Sequence, residues 1–148
     1  LLNPTNFSEQ KKDFDKLAKN LKDEATLIIV DSMTLHYRIE LGDAREKNSE
    51  GFGEIQKTNS ELARQIGILG EIARKRNIPV IVTNQIYNWE NGTKMVGGDI
   101  LKYWGKCIIE LVNDNGKRIA YLRKHRSLPE KSLSFQIYDG GIRKKGWI

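Results

Sequence analysis

Two residues that close apolar runs carry the strongest chemical signal in this sequence: Asp31, at the end of "LIIVD", and Gln85, at the end of "VIVTNQ". A carboxylate after four apolar residues is a hard oxygen donor at a strand end. It suits Mg²⁺ and its waters beside nucleotide phosphates. A neutral amide in the matching place accepts from an attacking water and donates to a terminal phosphate without repelling it. Each residue alone has an ordinary explanation, because buried strands often end in Asp and an amide often only caps a sheet edge. The pair Asp31-Ser32 and Asn84-Gln85 is more specific. Ligands of open α/β sheets collect at the carboxyl ends of parallel strands, and one capped helix separates these two ends.

The elements that must position them follow from pattern. Ser8 is placed to cap a helix running to about Lys22, with Phe14, Leu17, Ala18 and Leu21 on one stripe. Thr26 to Asp31 is short, apolar without alternation and rich in branched residues, as in a strand buried on both faces. Residues 38–53 are polar, charged and glycine-containing and read as a mobile loop. Thr58 with Glu61 forms a capping box. The helix it starts runs to about Arg76 with Leu62, Ile66, Leu69 and Ile72 on one face. "NIP" stops it and opens a second strand, Pro79 to Thr83. Residues 86–98 read as a second polar loop, followed after Gly98 by a short helix in which Tyr103 and Trp104 pack. The order helix, strand, helix, strand argues for parallel strands joined by crossover helices.

Beyond Cys107 the period becomes two. "KCIIELV" and "KRIAYLRK" flank Asn115-Gly116, a strong hairpin signal. "LSFQIYDGGIRK" reads as another hairpin turning at Asp139-Gly140-Gly141. The expected fold class is α/β, with parallel central strands extended by antiparallel C-terminal hairpins, in one domain over 1–148.

Composition narrows the partners. Residues 117–148 hold nine Lys and Arg against Glu130 and Asp139, a surplus of seven, while the rest of the chain nets −1. A basic end of this kind suits a polyanion; the alternative is a solvated basic face. The single cysteine, Cys107, excludes a disulfide framework, permits a reducing cytoplasm and reads as a buried residue. No apolar run approaches the roughly 18 residues of a membrane span. The opening "LLNPTNF" lacks the features of a signal peptide and reads as the middle of something longer. His36 and His125 are not spaced with other metal ligands.

"LIIVDSMTLHYR", "ELARQIGILGEIARKRNIPVIVTNQ", "VGGDILKYWGKCIIEL" and "RKHRSLPE", in this order, resemble the catalytic core of the RecA/RadA recombinase superfamily. Within it they resemble the archaeal RadB group. The resemblance spans nearly the whole chain. It implies a RecA-like P-loop fold, ATP and Mg²⁺ as cofactors, DNA and the RadA recombinase as partners, and self-assembly. It implies that Asp31, with Ser32, is the Walker B element and holds Mg²⁺ through water. Gln85 becomes the amide that links the terminal phosphate to a DNA-binding loop. Residues 39–53, with Arg45 and Lys47, correspond to the first DNA-binding loop. Residues 86–98, with Tyr87, Trp89 and Lys94, correspond to the second. An aromatic stacked on a base is worth about 1–3 kcal/mol; the alternative for Trp89 is a place in the core. "HRSLPE", with Arg126 and Pro129, sits where RadA caps a neighbouring protomer's nucleotide.

The chain also departs from that pattern. No G-x-x-x-x-G-K-[ST] element occurs: Gly105-Lys106 is followed by Cys107, and Gly116-Lys117 by Arg118. The phosphate cradle is therefore missing, as is the family's upstream acidic residue. The simplest account is the C-terminal portion of a single RecA-like ATPase domain, inactive alone, whose parent is a weak DNA-dependent ATPase assisting DNA repair and recombination. A natural variant without the element would lack the central strand of its sheet. The competing functions are a RadA-type strand-exchange recombinase, against which the short second loop argues, and a RecA-like ATPase that does not bind DNA.

Overall fold

The computed structural model describes residues 1–46, 51–89 and 92–145. It is α/β and divides into two compact units, Leu1–Trp104 and Gly105–Ile148.

The first unit opens with helix α1, Phe7–Asn20. Its cap is Asn6 rather than Ser8: the Asn6 side chain accepts from Glu9 N at 2.9 Å, and Glu9 in turn accepts from Thr5 N at 2.9 Å. The early cap brings Phe7 and Gln10 onto the buried stripe with Phe14, and leaves Ala18 exposed. Strand β1, Ile28–Val30, pairs in parallel with β2, Val80–Val82, Ile29 lying opposite Ile81. The pair is buried on one face only. Ile28 is buried, but Ile29 is 62 % and Ile81 51 % exposed, contrary to the expectation for a strand covered on both sides.

The loop expected over 38–53 is corrected: residues 38–46 belong to helix α2, Leu35–Glu46, and 51–53 to the helix that follows. Tyr37 and Ala44 are buried and Leu41 packs against the core. That spacing of four and three is a helical stripe, which the charged residues around it hid. Helix α3, Gly51–Arg76, is longer than expected. Thr58 does not cap it. Its hydroxyl donates to the Glu54 carbonyl one turn back at 2.9 Å, a bond open to Thr inside a helix. The face carrying Leu62, Ile66, Leu69 and Ile72 is buried as expected, and Gln65 is buried with it. Each such apolar side chain taken from water contributes roughly 1.5–3 kcal/mol, so this face anchors the unit. Strands β3, Ile86–Trp89, and β4, Gly92–Met95, form an antiparallel hairpin where a loop was expected. Helix α4, Gly98–Trp104, follows. Trp104 packs where Gly67 and Gly70 leave room: a Cβ added at Gly70 would stand 3.6 Å from its ring. Tyr103, by contrast, is 77 % exposed.

The second unit is one antiparallel sheet of β5, Ile108–Asp114, β6, Lys117–Lys124, β7, Lys131–Tyr138, and β8, Gly141–Lys144. Both hairpins turn where the sequence places them. Asn115 and Gly116 both have positive φ, 47° and 83°, as a two-residue hairpin turn requires. Among the described residues the strands pair in three separate sheets. Among the described residues of the second unit none is buried. Ile109, Leu111, Leu133, Ile137 and Ile142 are exposed, and the strand registers put them on one face. Cys107 is exposed too, not buried. The unit holds ten Lys and Arg against four Asp and Glu, so the chain's net +6 belongs to it.

Candidate functional site

Parallel pairing brings the carboxyl ends of β1 and β2 side by side. Thr83 N donates to Val30 O at 3.0 Å, and Met33 N donates to Thr83 O at 3.2 Å. The two chain segments therefore stay laced past the last strand residues. Asp31 is exposed there, and its Oδ1 accepts from the Thr83 hydroxyl. The Asp31–Ser32 peptide bond is cis. Ser32 is half-buried, and Gln85 is exposed at the first position after the Thr83-Asn84 step. The sequence-predicted pair is thus brought to one end of one two-stranded sheet.

Below this end the packing is polar as well as apolar. Thr34, 1 % exposed, donates its hydroxyl to Asn84 Oδ1. Asn84 Nδ2 donates to Val96 O at 2.8 Å, and Val96 N donates to Gln85 O at 3.0 Å. Gln10 Nε2 donates to Met33 O at 3.2 Å and to Gln65 Oε1 at 2.7 Å. Asn84 was legible in the sequence only as part of the strand end it shares with Gln85, and Thr34, Gln10 and Gln65 were not singled out from it. The available signal was a polar residue on an otherwise apolar face, as with Gln65 between Leu62 and Ile66.

The residues expected to meet DNA are partly gathered. Tyr87 lies directly opposite Lys94 across the β3–β4 hairpin, which sets their side chains on one face. Arg45 is exposed in the last turn of α2. Tyr37 lies near both segments. Burial pushes its phenol up, the Arg45 charge opposes that shift and Tyr87 adds to it. The Tyr37 hydroxyl donates to Asn59 Oδ1 at 2.7 Å. Lys47 lies outside the described residues, and Trp89 is placed only by its backbone, as the last residue of β3. Arg126 and Pro129 lie in the second unit between β6 and β7, both exposed. Their segment is folded back by His125, whose Nδ1 accepts from Ser127 N at 3.2 Å and Leu128 N at 3.1 Å.

The Rad51 family model matches residues 4–145. The chain belongs to the Rad51 family. It is 37 % identical over 142 residues to a protein of Methanocaldococcus jannaschii named DNA repair and recombination protein RadB, covering 96 % of this chain and 64 % of that one. Proteins of the same name from Methanococcoides burtonii and Methanobrevibacter smithii are 39 % and 35 % identical, with 97 % and 94 % of this chain and 62 % and 59 % of theirs covered. The chain spans roughly three-fifths of the length of these relatives. A Rad51-family domain accounts for the parallel pair, its crossover helices and the antiparallel strands that follow. Among the described residues no helix is long and apolar enough to cross a membrane.

Proposed function

We propose that this chain is the C-terminal portion of a single RecA-like ATPase domain, and that the whole protein binds ATP·Mg²⁺ and DNA. It acts in the cytoplasm as an accessory factor to the RadA recombinase in homologous recombination and repair. One observation carries the reading. The Asp31 carboxylate and the Thr83–Gln85 step share one end of the parallel pair, and the hairpin bearing Tyr87 and Lys94 leaves directly from it. The RadB relatives, and the absence of a Walker A element from a chain shorter than they are, support it. So do the uncovered apolar residues Ile29 and Ile81 and the uncovered face of the second unit, which a larger domain would bury.

The donor set fits half of a nucleotide site. Asp31 is a hard, exposed carboxylate with one oxygen oriented by Thr83, suited to the water shell of Mg²⁺. Bound ATP·Mg²⁺ supplies the phosphoryl group and the charge that draws it. Ser32 lies beside Asp31, and Gln85 accepts or donates at the strand end. Arg126 and Pro129 serve a neighbouring protomer's nucleotide in a self-assembled form. Arg45, Lys47, Tyr87, Trp89 and Lys94 contact DNA, the cations by phosphate attraction and the aromatics by stacking.

The test is single-stranded DNA affinity of the full-length protein across salt, for wild type and Trp89→Ala. Contact with Z phosphates gives a log–log slope of about −0.7Z. Trp89→Ala weakens binding by about 1–3 kcal/mol at unchanged slope. A flat salt response overturns DNA binding through phosphates.

A further inference from the structure

We infer that Asn84, held by Thr34, is a positioning residue that fixes the β3–β4 hairpin to the Asp31 end of β1. Three contacts carry this. Asn84 has two working ends: its Oδ1 accepts from the Thr34 hydroxyl, and its Nδ2 donates to the carbonyl of Val96 at 2.8 Å. Val96 is the first residue after β4, so Asn84 grips the returning strand, while the Gln85 carbonyl accepts from Val96 N at 3.0 Å. The base of the hairpin is thereby closed by one backbone and one side-chain bond.

Thr34 is itself held in place. It is 1 % exposed, three residues beyond Asp31, at the entrance to α2. Gly97, at φ +77°, brings the chain after the hairpin against it: a Cβ added there would stand 3.4 Å from the Thr34 methyl, 3.1 Å from Leu62 and 3.2 Å from Leu101. The hydroxyl of Thr34 thus faces Asn84 and its methyl faces Gly97. A shift of the Asp31–Thr34 segment must move Asn84, and with it the carbonyl that ends the hairpin. Gln85 lacks such a grip: its side chain is exposed and makes no hydrogen bond among the described residues. Asn84 therefore sets where the hairpin stands, and Gln85 is left to meet a ligand.

The experiment separates this device from general stability and from the proposed DNA role, on which only its second arm rests. Amide hydrogen exchange is measured on the full-length protein for wild type, Asn84→Ala, Thr34→Val and Thr34→Ser. Thr34→Val keeps the shape and loses the hydroxyl; Thr34→Ser keeps the hydroxyl and loses the methyl. Exchange in β3 and β4 is expected to speed about tenfold in Asn84→Ala and Thr34→Val, with α1 and α3 unchanged, and to stay near wild type in Thr34→Ser. Equal acceleration in α1 and α3, or a Thr34→Ser variant as fast as Thr34→Val, assigns Thr34 and Asn84 to packing alone and overturns the inference. So does an unchanged hairpin. In the second arm, the same two variants that free the hairpin weaken single-stranded DNA binding. Wild-type protein that binds no DNA overturns the proposed function, while the exchange arm still decides the role of Asn84.

Discussion

Replacing Gln10 and Gln65 by Leu, singly and together, tests whether the buried polar link beneath the site acts as a unit. Gln10 is 3 % exposed and Gln65 fully buried. Gln10→Leu removes the donor from both Gln65 Oε1 and Met33 O. A buried acceptor left without its partner costs about 1–3 kcal/mol, so Gln10→Leu is expected to destabilise by about 2–3 kcal/mol. Gln65→Leu leaves Gln10 its bond to Met33 O. It strands only one donor position and takes a 3.1 Å donor from Glu61, for about 1–2 kcal/mol. In the double variant no amide remains to be stranded at this contact, and the leucines meet as apolar surface. Its cost is expected to fall short of the sum by about 1 kcal/mol or more. Urea unfolding of the full-length protein measures all four corners of the cycle. Additive costs refute the argument, since they mean the two amides are not each other's partners in solution.

Three further outcomes follow from the same geometry. The 148-residue chain alone is expected not to bind a fluorescent ATP analogue with Mg²⁺, since the phosphate cradle supplies charge-assisted bonds of about 1.5–3 kcal/mol each; saturable binding in the low micromolar range, read by titration, defeats this. In the full-length protein, Gln85→Ala is expected to keep the fold and ATP affinity but to lose the difference in DNA affinity between ATP and ADP, a coupling of about 5–150-fold in such systems. Asp31→Asn weakens Mg²⁺-dependent hydrolysis instead, and a Gln85→Ala variant that retains full coupling makes Gln85 a strand cap. Finally, burial raises the Glu61 carboxyl, but hydrogen bonds from Arg64 and Gln65 and the charges of Arg64 and Lys11 outweigh it, so its pKa lies below the ordinary 4.5. A lowered folded value means that Glu61 contributes stability above that pH and loses it as pH falls through the folded value. Unfolding midpoints of wild type and Glu61→Gln, followed from about pH 6 to about pH 3, are expected to converge at the acid end; curves that stay parallel contradict the assignment.

Local pattern was enough wherever neighbours in sequence decide the outcome. Asn115-Gly116 turns because those residue types accept positive φ, whatever surrounds them. The alternation of "KRIAYLRK" needed only a strand across from it. Asp31 and Gln85 were legible because a polar residue ending an apolar run marks a strand end, and parallel strands present those ends together. The family was legible for the same reason, through short segments in a fixed order. Composition misled where burial depends on distant contacts. Residues 38–46 look solvated, yet α2 is helical because Tyr37, Leu41 and Ala44 find the core. Residues 86–89 and 92–95 look like loop, yet they pair as strands of a hairpin whose base Asn84 closes from outside them. Which amide partners which hydroxyl is set by Thr34 and Asn84 meeting across fifty residues of chain. No periodicity encodes such a meeting, because the bond exists only once β1 and β2 lie side by side and the core beneath them excludes water.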